Sequence, residues 1–142
     1  MLGSPIMVEA INGVLQSKLE SFQLMCERLE VLDPHDALFL LRHAFALPKL
    51  TYFLRTSPCF KNTEILKKYD NAMRVALIRI LNVGMEDSSW DQCSLPVRMG
   101  GLGVRTASEV SLPAYLSSVS ATFECITPLL PTYLRNEVNP FF

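Results

Sequence analysis

Apolar side chains recur along this sequence at intervals of three and four residues, and nowhere do they alternate over the length of a strand. A chain patterned in this way buries its apolar surface by packing helix on helix. The first stretch is the clearest. Ile11, Val14, Leu15, Leu19, Phe22, Met25, Cys26 and Leu29 fall on one face and Gln16, Ser17, Glu20, Glu27 and Arg28 on the other. This predicts one amphipathic helix from about Val8 to Val31, roughly 36 Å long at 1.5 Å per residue. Gly13 is its weak point, about 1 kcal/mol worse than alanine in a helix interior.

Start and stop signals divide the rest of the chain. Asp33-Pro34-His35-Asp36 reads as a helix start, with Asp33 as N-cap and proline at the first helical position. The helix that follows, through Ala37-Leu38-Phe39-Leu40-Leu41 to Leu47, is apolar almost all round, which implies burial against several neighbours. Pro48 is expected to break or kink it before Lys49 to Arg55 add further turns, and Ser57-Pro58-Cys59 closes the segment. Asn62 or Thr63 is positioned to cap a third helix, striped by Ile65, Tyr69, Ala72, Ala76 and Ile80, with Gly84 at its end. From Met85 to Arg105 the helical period vanishes, and Pro96, Gly100, Gly101 and Gly103 predict a tight irregular loop. Thr106-x-x-Glu109 has the pattern of a capping box opening a fourth helix, which Pro113 should kink or restart and Pro128 and Pro131 end. The tail is placed at about 128–142, and from Tyr133 to Phe142 it is expected to be frayed or truncated. The reading is a single all-α domain over residues 1–142: four to five helices in a small bundle with a Gly/Pro-rich loop.

Composition limits what such a bundle does. Of the 142 residues 49% are hydrophobic and 19% charged, with a net charge of −1. That is more apolar than usual, so some apolar surface is expected to face a partner, and no global positive field draws the chain to nucleic acid. The longest apolar runs, such as Ala37 to Leu41, fall far short of the ~20 residues of a bilayer span, and the first residues lack the pattern of a secretory leader. The expectation is a soluble intracellular chain, in cytoplasm or nucleus, without membrane contact.

Chemistry-bearing motifs are scarce. The four cysteines, Cys26, Cys59, Cys93 and Cys125, lie more than thirty residues apart and form no C-x-x-C pair, so free thiols are expected. His35 and His43 would stand about two helical turns apart, too far for one zinc. Glu86, Asp87 and Asp91 form an acidic cluster without EF-hand spacing, read as a solvated turn. Gly100-Gly101-Leu102-Gly103 does not have the context of a phosphate-cradling or dinucleotide loop, and is read as a turn with close backbone contacts. No serine elbow is present. No catalytic residue, metal ligand or cofactor site is expected. Trp90 is read as an aromatic pinning the loop, with an interface role as the alternative. Lys67, Lys68, Asn71, Arg74 and Arg79 spread over an arc of about 140° on the third helix at 100° per residue, a basic face interrupted by Ile78.

Three stretches resemble the segment that follows the polymerase core in reverse transcriptases of non-LTR retrotransposons, in particular its thumb-like helical region. They are Leu2-Gly3-Ser4-Pro5-Ile6, then His35-Asp36-Ala37-Leu38 through Pro48-Lys49-Leu50-Thr51-Tyr52-Phe53-Leu54-Arg55, and Leu95-Pro96-Val97-Arg98-Met99-Gly100-Gly101-Leu102-Gly103-Val104-Arg105. The last is the most specific, and together they cover nearly the whole chain. The resemblance implies that Leu2 and Gly3 are the remnant of a primer grip and that the helices hold a template–primer duplex. The family's catalytic Phe/Tyr-Ala-Asp-Asp turn and its earlier metal-binding aspartate should lie upstream of Leu2, and no such motif occurs in this sequence. Phosphoryl transfer of that kind needs those carboxylates to hold divalent ions, so the fragment is expected not to be an enzyme.

What the resemblance leaves is backbone contact with a nucleic-acid duplex, weak and independent of sequence, through Lys67, Lys68, Asn71, Arg74 and Arg79 with Arg98 and Arg105 from the loop. About four neutralised phosphates would give a salt slope near −3.6. Charge reversal of Lys67, Lys68 and Arg74 is expected to abolish most of the binding and leave folding nearly intact. The alternative is a helical protein–protein interaction module that binds through an apolar surface.

Overall fold

The computed structural model describes Pro5 and residues 7–135. Among the described residues there is no strand, and the architecture is the all-α bundle that the periodicity predicts. Its helices are α1 (Val8–Leu29), α2 (Pro34–Leu40), α3 (Leu47–Thr56), α4 (Thr63–Leu81), α5 (Asp87–Ser94), α6 (Ala107–Ile126) and a short α7 (Thr132–Arg135). Leu2 and Gly3, read as a grip remnant, lie outside the described residues, as does the tail beyond Arg135.

Helix α4 is the hub. It packs against α1 on one side and α6 on another, with α2 across it, and α6 also lies along α3. From α1 come Ile11, Leu15, Leu19, Phe22, Cys26 and Leu29, the predicted stripe with Val14 and Met25 at its edges. They meet Ile65, Leu66, Tyr69, Met73, Ala76, Leu77 and Ile80 of α4 in one continuous core. Phe22 stacks on Tyr69 with ring centroids 4.4 Å apart.

Several boundaries follow the local signals. Asp33 accepts the backbone N–H of His35 at 2.9 Å, the capping bond expected of it. Between α2 and α3 the chain makes a π-helical turn over Leu41–Phe45, with Ala46 N–H bonded five residues back to Leu41 at 2.9 Å. Pro48 then stands in the first turn of α3, so the proline starts a new helix where the sequence placed a break. Other boundaries differ. Helix α4 ends at Asn82, which takes the left-handed conformation (φ 51°) ahead of Gly84; the amide side chain tolerates αL, and Val83 N–H closes the motif on Ile78 at 3.3 Å. Pro113 sits inside a single α6 and does not restart it.

The stretch read as irregular from Met85 to Arg105 contains α5. It escapes periodicity because the helix is almost wholly exposed: only Trp90 and, one turn on, Cys93 and Ser94 are half-buried, so no apolar stripe marks it. Trp90 packs against the core, in keeping with its reading as a pin.

The start of α6 carries the largest correction. Thr106 does not cap the helix; its hydroxyl donates instead to the Glu109 carboxylate at 2.6 Å. The cap comes from Asp70 on α4, which is buried. It accepts the backbone N–H of Ala107 at 2.5 Å, that of Ser108 at 3.1 Å, and the Ser108 hydroxyl at 2.5 Å. A carboxylate takes all three donors at a helix N-terminus, where a threonine hydroxyl takes one. Burial pushes the Asp70 carboxyl above its ordinary range, against the pull of these bonds.

Replacing Asp70 by Ala strands two amide groups near the core and should cost about 2–3 kcal/mol, whereas Thr106→Ala should cost less than about 1. Urea denaturation of both variants measures this, and equal losses would sink the long-range cap. The thiols give a second check. Burial pushes Cys26 and Cys59 up to about 11, while Cys125 is exposed. At neutral pH iodoacetamide should label Cys125 first, Cys93 more slowly, and Cys26 and Cys59 only after unfolding.

Candidate nucleic-acid interface

The seven candidate residues divide over different surfaces. Lys67, Lys68 and Asn71 are exposed on α4. Among the described residues neither lysine has an acidic partner. Asn71 lies between two clefts that flank the helix. One, of about 510 Å³ against α1, is lined by Lys68, Asn71 and Arg79 together with Gln23 and Glu27. The other, of about 320 Å³ beneath the start of α6, is lined by Lys67, Asn71 and Arg74 with Trp90 and Glu109.

The two arginines of the α4 set are engaged. Arg74 donates to Asp87 at 2.7 Å and to the Met85 carbonyl at 2.7 Å, which ties α4 to the segment that leads into α5. Its side chain is only 25% exposed, while that of Asp87 is 93% exposed. Arg79 donates to Glu30 at 2.8 Å across the α1–α4 groove. The continuous basic arc that the helical wheel draws is therefore broken at both ends by acids from other segments. The pair of Asp87 with Arg74 also gives the acidic cluster a role in the fold, and among the described residues no three His, Cys, Asp or Glu side chains converge.

The loop residues stand apart from α4. Cys93 C=O accepts Leu102 N–H at 3.1 Å and Val104 N–H at 3.2 Å, and Leu95 C=O accepts Gly103 N–H at 2.8 Å. These bonds fold the Gly-rich stretch back on the end of α5. Gly101 is buried, and a Cβ there would run into the Leu95 carbonyl. This is the tight turn with close backbone contacts that the sequence predicts. Arg98 lies exposed on its 3-10 turn, Val97–Met99.

Arg105 leaves the loop toward a third cleft, of about 170 Å³, that it shares with Arg42 and His43. Sequence reading missed these two. Arg42 was hidden in a segment read as apolar all round, where it is the one arginine, and the π-helical turn that redirects it leaves no mark in the periodicity. No family model, curated protein or solved structure matches this chain.

The partners of Arg74 argue against the expectation that its reversal spares the fold. Arg74→Ala removes a charged donor from the Met85 carbonyl and should cost about 1–2 kcal/mol; Lys67→Gln and Lys68→Gln should stay within about 0.5 kcal/mol. Thermal or urea unfolding separates them, and an Arg74 variant as stable as the lysine variants would show that its bonds contribute nothing.

Proposed function

We propose that this chain is a non-catalytic, thumb-like helical unit of reverse-transcriptase origin that contacts the phosphates of a nucleic-acid duplex without reading its sequence. The observation that carries the proposal is the pair Lys67 and Lys68, adjacent on the exposed side of α4 and without an acidic partner among the described residues. Supporting it is the Leu95–Arg105 stretch, the most specific part of the resemblance, which folds as a built element and presents Arg98 and Arg105 outward. Phosphate contacts need cations on a rigid frame and no base-reading geometry. Arg79 is able to exchange Glu30 for a phosphate at little cost, since an ion pair exposed to water is weak.

A second reading has its own observation. Along α6, Leu112, Leu116, Val119, Phe123 and Ile126 follow one another at intervals of four and three residues. Leu112, Leu116 and Ile126 are exposed. A helix that turns such a stripe outward favours a protein partner.

Fluorescence anisotropy with a labelled duplex of mixed sequence distinguishes the two. The chain should bind several unrelated duplexes alike at low salt. In the variant Lys67→Gln/Lys68→Gln the slope of log K against log salt should flatten by about 1.8, at 0.9 per lost contact. No detectable binding by the folded chain at low salt would remove the nucleic-acid reading and leave the apolar face of α6 as the better one.

A further inference from the structure

We propose that the cleft between the π-helical turn, the start of α3 and the Gly103–Arg105 segment of the loop is an oxyanion site that takes a phosphate group, free or within a nucleic-acid backbone. Arg42, His43 and Arg105 line it together with Leu47, Pro48 and Gly103. Arg42 and Arg105 thus border one space of about 170 Å³ with no carboxylate in its wall, and His43, whose exposed ring packs on Phe39 with centroids 4.7 Å apart, borders it too. Arg42 is half-buried and has no hydrogen-bond or ion-pair partner among the described residues. An unpaired guanidinium is a donor array open to an acceptor, and its planar fork matches a phosphate bidentately.

Three features of the backbone build this site. The π-helical turn Leu41–Phe45 carries both Arg42 and His43; such turns are rare and recur where side chains must be redirected for function. Gly103, at φ 68°, lies so close to the Arg42 guanidinium that a Cβ would sit 3.0 Å from its Nη2, so the absence of a side chain there leaves room for the fork. The first turn of α3, whose Leu47 and Pro48 line the cleft, has no side-chain cap. The positive end of its dipole therefore adds to the field of the two arginines. None of these contacts involves Lys67 or Lys68, so the site is separate from the α4 surface, and only the identification of its phosphate as a duplex backbone rests on the function proposed above.

The test is an NMR titration of the full chain, following the Nε–H resonances of Arg42 and Arg105 and the amide of Gly103. Inorganic phosphate, against chloride at matched ionic strength, should shift all three saturably. Arg42→Gln/Arg105→Gln should weaken the apparent affinity at least tenfold. Arg105→Gln alone, at an exposed position that cannot unfold the chain, should weaken it severalfold. Unsaturable shifts that chloride reproduces, or a double variant that titrates like the parent, would overturn the site. A duplex arm identifies the source. If the backbone occupies the cleft, the same resonances move on adding duplex, and the double variant flattens the salt slope by about 1.8. Shifts with inorganic phosphate but none with duplex assign the site to a free or terminal phosphate. Lys67→Gln/Lys68→Gln should leave the phosphate titration unchanged, so a failure of duplex binding at α4 is read apart from a failure of the cleft.

Discussion

Two adjacent residues of α4, Tyr69 and Asp70, hold together the places where the backbone breaks. Tyr69 donates its hydroxyl to the Ala46 carbonyl at 3.1 Å, at the junction of the π-helical turn and α3. Asp70 accepts the first two amide groups of α6. A helix terminus or a break leaves polar groups that cost roughly 1–3 kcal/mol each when buried without a partner. Here the first amide groups of α6 and the Ala46 carbonyl at the π-turn junction both find their side-chain partner on one central helix. The orientation of α3 and α6, which pack along each other, is therefore set by a single turn of α4. Every feature near the candidate surfaces hangs from this turn: Arg42 and His43 precede the break that Tyr69 secures, and Arg105 precedes the terminus that Asp70 secures.

The same arrangement explains how much could be read from the sequence. The buried stripes of α1 and α4 were legible because each helix buries one face against a flat neighbour, and period alone reports that. Asp33 and Pro48 were legible because their effect is local. Helix α5 was not, since a helix that buries little has no stripe. The cap of α6 was misread for a related reason. Thr106 and Glu109 have the right spacing, but Asp70 lies thirty-seven residues away and its carboxylate is the stronger acceptor, so a long-range bond displaced a local one. Asp70 itself carried a faint signal: it is an acid beside the apolar stripe of α4, next to Tyr69, where a solvated charge would be out of place.

The candidate surfaces show a comparable division. Helical geometry placed Lys67, Lys68, Asn71, Arg74 and Arg79 on one arc correctly, yet it could not reveal that Asp87 and Glu30 arrive from other segments to engage two of them. Conversely, Arg42 lay in the least polar stretch of the chain and drew no notice until the fold set it beside Arg105. Charge patterning along one helix counts cations without their partners. Only the tertiary structure tells which of them still face solvent with their charge unmatched.

The net charge of −1 sets the scale on which any of these surfaces acts. At physiological ionic strength the field of an exposed charge decays over about 8 Å. A chain with no overall excess of cations therefore gains no long-range steering toward a polyanion, and its contacts operate only once the surfaces meet. Lys67 and Lys68 on open solvent then lose much of their attraction to screening. A phosphate bound between Arg42 and Arg105 would meet its donors at hydrogen-bond range, where each acts more strongly than a screened charge at a distance. If both surfaces meet phosphates, each neutralised phosphate releases its counterions alike, and the steepness of the salt dependence reports the two surfaces together.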